Sequence, residues 1–387
     1  MEQVENSSLV FHLKSKKLLV NFGSYYTPPW IVKLVWRLIQ PFIDEKSVIF
    51  DPACGYGVFL KEKTLARKVG NDIDLEALKV AKTQVPDATL FSLNALLFYK
   101  RKHYEIGEGE KLIIIGNPPY NDTTSQAKKR LKGLSFEVSS EIKSRDVGIS
   151  FLRAFYHLRA DYVCILHPLS YLIKRANFRL LREFKDSYRL LDAVIISSRE
   201  FNFTSRASEF PIAIALYKRD ERGMDFSFVE NYPFETIDGK RFKLSDFDYI
   251  GEYLQKYPKR GEKLEGEKLL FYTLRDVNAL KRNKTFLEKP TANAVKIDTH
   301  QLDYYVYVDV FKDFINRVPY YFGNLDIPLK DSLFKSYKDF FISYALRKRA
   351  FLRRYYPKHQ ILNGDGKKVE EYFRKLLGEH YVESERR

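Results

Sequence analysis

The chain has 387 residues, 45% of them hydrophobic and 30% charged, with 66 Lys and Arg against 50 Asp and Glu for a formal charge of +16. This length allows two domains with a core each, and the composition is that of an ordered globular protein rather than a disordered one. The basic balance points to a polyanionic partner, because neutralising a phosphate backbone releases condensed counterions. Cys54 and Cys164 are the only cysteines and the seven histidines lack metal-ligand spacing, so no metal site is expected and both thiols read as small buried hydrophobes. There is no run of 18 apolar residues, and the N-terminus lacks the order of a secretory signal, so the reading is a cytoplasmic protein without a membrane segment.

In chain order, the first clear element is Ser47-Val48-Ile49-Phe50, apolar on successive residues as in a strand buried on both faces, and it ends at Asp51. In the segment that follows, DPACGYGVFL, Gly55 and Gly57 allow a tight turn with close backbone approach, and the stretch from Val58 to Lys68 predicts a helix. Strand, glycine turn and helix make the ligand-binding corner of an open α/β sheet, where cofactors sit outside the carboxyl ends of the strands. About twenty residues later GNDIDLEAL places Asp72 at the end of a second short strand, where a carboxylate can take both hydroxyls of a ribose. On these residues alone a dinucleotide enzyme stays open, although GxG without a third glycine supports a pyrophosphate cradle poorly.

The stretch from Ile113 to Asp122, IIIGNPPYND, is a buried-type β run that breaks at Gly116 into Asn117-Pro118-Pro119-Tyr120. Each proline holds its own φ near −65° and removes a backbone donor, and the first pushes Asn117 into an extended conformation. The result is a stiff loop that presents acceptors. An exocyclic amine such as adenine N6 has its lone pair delocalised into the ring, so it needs acceptors on both hydrogens, and the Asn117 side-chain oxygen and the Pro118 carbonyl can supply them. Tyr120 offers a flat face for a stacked base, a contact worth roughly 1–3 kcal/mol.

Together these motifs resemble, over roughly residues 20 to 220, the gamma-class N6-adenine DNA methyltransferases, the group with the Taq-type and Eco57I-like methylases. The resemblance implies an S-adenosylmethionine-dependent, Rossmann-like α/β fold with a mixed seven-stranded sheet. It implies that Tyr26 and Thr27 of GSYYTPPWIVKLV, Asp51, Pro52, Ala53, Cys54 and Gly55 of the glycine turn, Asp72 and Ile73, Asn94 and Ala95 of FSLNALLF, and Asn117 line the S-adenosylmethionine pocket. Thr27 would contact the methionine carboxylate and Asp72 the ribose. The family usually has Asp where this chain has Asn94, whose amide oxygen can still accept from the cofactor's adenine amine. Catalysis falls to Asn117, Pro118, Pro119 and Tyr120. The later segments DVGISFLRAF, YVCILHPLSYLI and REFNFTSRASEFPIAIAL match the remaining motifs, and Phe203, with Phe201 as runner-up, would clamp a flipped base against Tyr120.

Lys128, Lys129 and Arg130, just after the catalytic loop, are candidates for phosphate contacts. The character changes near residue 228, which gives a catalytic domain over 1–228 and a smaller α+β target-recognition domain over 229–387. NYPFETIDGKRFKLSDF predicts a hairpin around Asp238-Gly239. LRKRAFLRRYYPK, with Arg347, Lys348, Arg349, Arg353 and Arg354 and no acid, is the best local candidate for DNA contact. Residues 231–387 hold 31 basic and 23 acidic side chains, only half of the net charge, so a DNA surface must draw on both domains. Val369, Tyr372, Phe373, Leu376 and Leu377 form one helical stripe that predicts core packing.

The reading these features favour is a site-specific DNA adenine-N6 methyltransferase acting on double-stranded DNA, the modification enzyme of a restriction-modification system with a separately encoded cognate endonuclease. Two alternatives stay open: a glutamine-N5 methyltransferase acting on a protein release factor, which shares the Asn-Pro-Pro-Tyr loop, and a non-catalytic DNA-binding specificity subunit.

Overall fold

The computed structural model describes residues 27–120, 137–201, 209–259, 261, 264, 266 and 269–383. The chain divides into two compact units, Met1–Glu230 with Phe234–Ile237, and Asn231–Pro233 with Asp238–Arg387.

The first unit opens with helix α1 (Pro29–Ile39), started by a proline at its first position, where the missing N–H costs nothing. Ile31, Val32, Val35 and Ile39 are buried, and Trp36 Nε1 donates to the Phe59 carbonyl at 2.8 Å. There follow β1 (Ser47–Asp51), β2 (Arg67–Asn71), α2 (Leu75–Gln84), β3 (Thr89–Phe91), β4 (Lys111–Gly116), α3 (Val147–His157), β5 (Tyr162–Pro168), β6 (Tyr188–Ser197), β7 (Pro211–Arg219) and β8 (Phe234–Thr236). With β9 (Arg241–Phe242) at its edge, the sheet has the order β3-β2-β1-β4-β5-β7-β6-β8-β9. Strands β3, β2, β1, β4 and β5 run parallel, and β7 is antiparallel to both β5 and β6. The chain winds outward one way from β1 through β2 to β3, then the other way from β4 to β5. The carboxyl ends of β1 and β4 therefore form the switch point where such sheets bind ligands.

The α/β architecture read from the sequence holds, with two corrections. The sheet has nine strands rather than seven, because β8 adds in parallel to β6, with Val194 opposite Glu235, and the Asp238-Gly239 hairpin brings in β9. The predicted helix from Val58 to Lys68 is a single 3₁₀ turn, Val58–Leu60. Residues 67 and 68 are needed in the sheet, where Arg67 pairs opposite Val48 and the buried Lys68 reaches Asp87 at 2.8 Å. Both cysteines are buried, as expected.

The second unit is α+β. It holds β10 (Asp248–Tyr249), β11 (Leu270–Tyr272), β12 (Phe286–Leu287), β13 (Ala294–Lys296), α4 (Leu302–Asp313), β14 (Pro328–Leu329), α5 (Asp331–Lys348) and α6 (Asp365–Leu377). The strands make a three-stranded sheet, β12-β11-β13, and a β10-β14 pair. Tyr307 of α4 lies at the centre of an aromatic core, stacked on Phe341 of α5 and edge-on to Tyr372 of α6. The predicted stripe Val369, Tyr372, Phe373, Leu376 and Leu377 is buried throughout. No described helix is long and apolar enough to cross a membrane.

Candidate active site at the carboxyl ends of β1, β2 and β4

Asp51 ends β1 at 1% exposure. One carboxylate oxygen accepts from Ala53 N at 3.2 Å, and the other, Oδ2, has no hydrogen-bond partner among the described residues. Burial, with neighbouring Asp72 adding to it, pushes the carboxyl up to about 8, against the pull of the Ala53 amide. Gly116, the last residue of β4, is why the next strand can come so close. A Cβ there would stand 2.6 Å from Asp51 Oδ1, and its φ of 137° is one that only glycine adopts comfortably.

Asn117 follows directly. Its amide nitrogen donates to Thr27 Oγ1 at 3.2 Å, which fixes the rotation of the side chain, and its Oδ1 is buried without a hydrogen-bond partner among the described residues. A buried amide oxygen left unpaired costs roughly 1–3 kcal/mol, so a ligand N–H that reaches it recovers that cost. Pro118 and Tyr120 are buried, Tyr120 to 5%.

The glycine turn lies between these groups and β2. Gly55 has a φ of 50°, its amide donates to Asp72 Oδ2 at 2.7 Å, and nothing lies within 4 Å of where its Cβ would be. The other Asp72 oxygen accepts from Asp74 N at 2.9 Å. Burial raises the Asp72 carboxyl, opposed by these backbone amides. Pro52 and Cys54 are buried, Ala53 is half-buried, and Ile73 is exposed at 55%.

Asn94 is held at both ends. Its Oδ1 accepts from Leu96 N at 3.0 Å and its Nδ2 donates to the Glu137 carbonyl at 2.9 Å. The neighbouring Ala95 is buried. An ionised aspartate could not make the second bond, which gives the asparagine at this position a local reason. Sequence reading missed Asn71, which is 1% exposed and donates to the carbonyls of Pro52 and Leu93, at 3.0 Å each, while accepting from Leu93 N at 2.9 Å. It ties the loops after β1 and β3 to the tip of β2. A polar residue closing the buried run Lys68-Val69-Gly70 was the available signal.

The structure brings Thr27, Asp51, Gly55, Asp72 and Asn117 to one sheet end. Tyr26, Lys128, Lys129, Arg130 and Phe203 lie outside the described residues, and the runner-up Phe201 is 2% exposed. No group of His, Cys, Asp and Glu among the described residues could hold a metal ion.

The C-terminal basic cluster is largely ion-paired. Its local sequence lacks an acid, but the fold supplies three. Arg347 pairs with Asp365 at 2.9 Å, Arg349 with Asp309 at 2.9 Å, and Lys348 with Asp313. Asp309 is 1% exposed and also accepts from Thr285. Arg353 is exposed and donates to the His359 carbonyl at 2.7 Å, and Arg354 is exposed without an ion pair among the described residues. Arg349→Ala should therefore lower stability by about 2–4 kcal/mol in urea unfolding, since it strands a buried carboxylate. Arg353→Ala with Arg354→Ala should leave stability unchanged and, if these two meet phosphates, reduce the salt slope of DNA binding by about 1 each.

The donor set fits a cationic, adenosine-bearing cofactor, with an unpaired buried carboxylate oxygen for a positive group and a second carboxylate beside the glycine turn for a ribose. A search of curated proteins returns no match. Among solved structures the chain is similar to a modification subunit attributed to a type I restriction enzyme from Vibrio vulnificus YJ016, at 16% identity over 61% of this chain and 52% of that one, with a TM-score of 0.38. It is similar to the type IIG restriction endonuclease BpuSI at 16% identity over 52% of this chain and 26% of that one, TM-score 0.38. A SAM-dependent methyltransferase from Anabaena variabilis shares 14% identity over 49% of this chain and 84% of that one, TM-score 0.32. The chain thus spans about half of the first and a quarter of the second. Residues 14–161, the stretch that holds the glycine turn, Asp72, Asn94 and the Asn117–Tyr120 loop, match the family model described as N-6 DNA Methylase, which supports methyl transfer with S-adenosylmethionine as the cofactor of that stretch.

Proposed function

We propose that the chain is a site-specific adenine-N6 DNA methyltransferase of the gamma, Taq-type class, that it modifies double-stranded DNA, and that it serves a restriction-modification system beside a separately encoded endonuclease. The observation that carries this reading is the Asn117 amide, with its nitrogen tied to Thr27 and its oxygen buried without a hydrogen-bond partner among the described residues. That is the state of an acceptor waiting for an N–H.

An adenine in a duplex cannot reach such a loop and must swing out, at a cost of a few kcal/mol. Asn117 Oδ1 and the Pro118 carbonyl take the two N6 hydrogens and orient the nitrogen, so the gain comes from positioning and fixed dipoles rather than from a strong base. Tyr120 and Phe203 stack the base. Asp72 holds the ribose of the cofactor, and Thr27 and Asp51 its amino-acid end. When bound, S-adenosylmethionine supplies an electrophilic methyl group. The N6 proton leaves to water after the methyl arrives. The domain assignment, 1–228 for catalysis and 229–387 for target recognition, with Arg353 and Arg354 at the DNA, belongs to the same proposal.

Incubation of the full chain with labelled S-adenosylmethionine and unmodified genomic DNA should give label in N6-methyladenine on nucleoside analysis. Label in cytosine, in protein glutamine or in nothing at all would sink the proposal.

A further inference from the structure

Next to Tyr120 lies a group of side chains that the proposed reaction does not use. Asp146 precedes α3, and its Oδ1 accepts from Gly148 N at 3.0 Å and from the Tyr171 hydroxyl. Tyr171, 1% exposed, lies in the short helix Ser170–Ile173 just after β5. His167 lies parallel to its ring, with centroids 5.3 Å apart, and pairs through Nε2 with the Tyr217 hydroxyl at 2.7 Å. Burial drives the His167 imidazole down to about 4, so it is a neutral plate at physiological pH rather than a charge. Tyr171 is thus held by its ring on one side and by its hydroxyl on the other.

Gly148 joins this group to the catalytic loop. It lies in the first turn of α3, where alanine is the better helix former and no positive φ calls for glycine. Its reason is close approach. A Cβ there would stand 2.5 Å from the Tyr171 hydroxyl oxygen and 2.9 Å from Tyr120 Cβ. Both tyrosines press on the same α-carbon, one rooted in the core and the other at the end of the Asn117–Tyr120 loop.

We propose that Asp146, Gly148 and Tyr171 are positioning residues for the methyl transfer, a backstop that sets where the Tyr120 ring stands and hence where the extruded base stacks. The inference rests on the function proposed above, and it adds a role for three residues that neither touch the base nor line the cofactor cradle. Its physical content is rigidity. Pro118 and Pro119 stiffen the loop along its length, while Gly148 and the anchored Tyr171 hydroxyl fix the depth at which the loop's last ring comes to rest. A ring displaced by the width of a methyl group holds the amine out of line.

The test measures single-turnover methyl transfer to genomic DNA for Gly148→Ala and Tyr171→Phe, each alone and each combined with Tyr120→Ala. Affinity for S-adenosylhomocysteine and the melting temperature are measured alongside. Gly148→Ala should slow transfer at saturating cofactor by about 100-fold and Tyr171→Phe by about 10-fold, with the S-adenosylhomocysteine Kd within twofold of wild type. Combined with Tyr120→Ala, neither should slow the residual rate further, because the ring they position is gone. Rates that multiply in the Tyr120→Ala background, losses that track melting temperature or Kd, or variants as fast as wild type would each overturn the inference. Should Gly148→Ala fail to fold, Tyr171→Phe, which keeps the ring and its packing, carries the test alone. Wild-type protein that transfers no methyl group to DNA removes the functional reading and this inference with it, whereas an active wild type with unaffected variants removes the inference only.

Discussion

Replacing Asn117 with alanine is expected to lower methyl transfer by roughly 10³-fold while S-adenosylhomocysteine binding stays within a few fold. The expectation follows from how the side chain is held. Its Nδ2 donates to Thr27 at 3.2 Å, which favours this orientation of the amide, and Oδ1 is left buried without a partner among the described residues. Truncation removes an acceptor that meets the target amine but leaves the glycine turn and Asp72 untouched, so the loss should fall on kcat and spare the cofactor. The fold should hold or gain stability, because the change also removes an unsatisfied buried oxygen. Filter binding of labelled S-adenosylhomocysteine beside a turnover assay checks this directly. Full retained turnover, or a cofactor affinity lost in proportion to rate, would remove Asn117 from the chemistry.

Asp51→Asn is expected to do the opposite to the two properties, stabilising the free protein and weakening cofactor binding at least about tenfold. Burial lifts the Asp51 carboxyl to about 8, so between pH 4 and pH 8 the folded protein keeps a proton that the unfolded chain gives up. Stability of the free protein must then fall as pH rises through that window, by at most about 1.4 kcal/mol per pH unit from this one group. The amide, which does not titrate, would abolish that contribution and gain about 1–3 kcal/mol near pH 8, with a residual slope from Asp72, which burial also raises. A cationic ligand reverses the sign. It binds the ionised carboxylate, so wild-type affinity for S-adenosylmethionine should rise from pH 6 to pH 8 and that of Asp51→Asn should stay flat. Thermal melts across pH, with and without cofactor, separate the two effects.

Both expectations turn on one pair of strand ends whose closeness the sequence could not state. The doubly wound sheet was legible because β1 and β4 are continuous apolar runs, and the hairpin because Asp238-Gly239 supplies the positive φ such turns need, 82° at Gly239. The Val58–Lys68 helix failed because local pattern cannot see that residues 67 and 68 are claimed by pairing with β1. The ion pairing of the basic run at 347–354 was equally invisible to local pattern. Its three partner carboxylates lie at Asp309, Asp313 and Asp365, far enough along the chain that only folding brings them in.

By itself the sequence determined the chemistry on offer: a stiff loop of acceptors at Asn117–Tyr120, a glycine turn after Asp51, and an acid at Asp72. These are properties of short segments, set by backbone dihedrals and residue type within a few positions. Tertiary structure alone decided which groups are left unsatisfied and which are used up. The oxygens of Asp51 and Asn117 left without partners among the described residues, the Asn94 amide nitrogen donating to Glu137, and Gly148 under Tyr120 and Tyr171 all depend on segments tens of residues apart. Burial and unmet hydrogen bonds are properties of an assembled interior, so no window of sequence contains them.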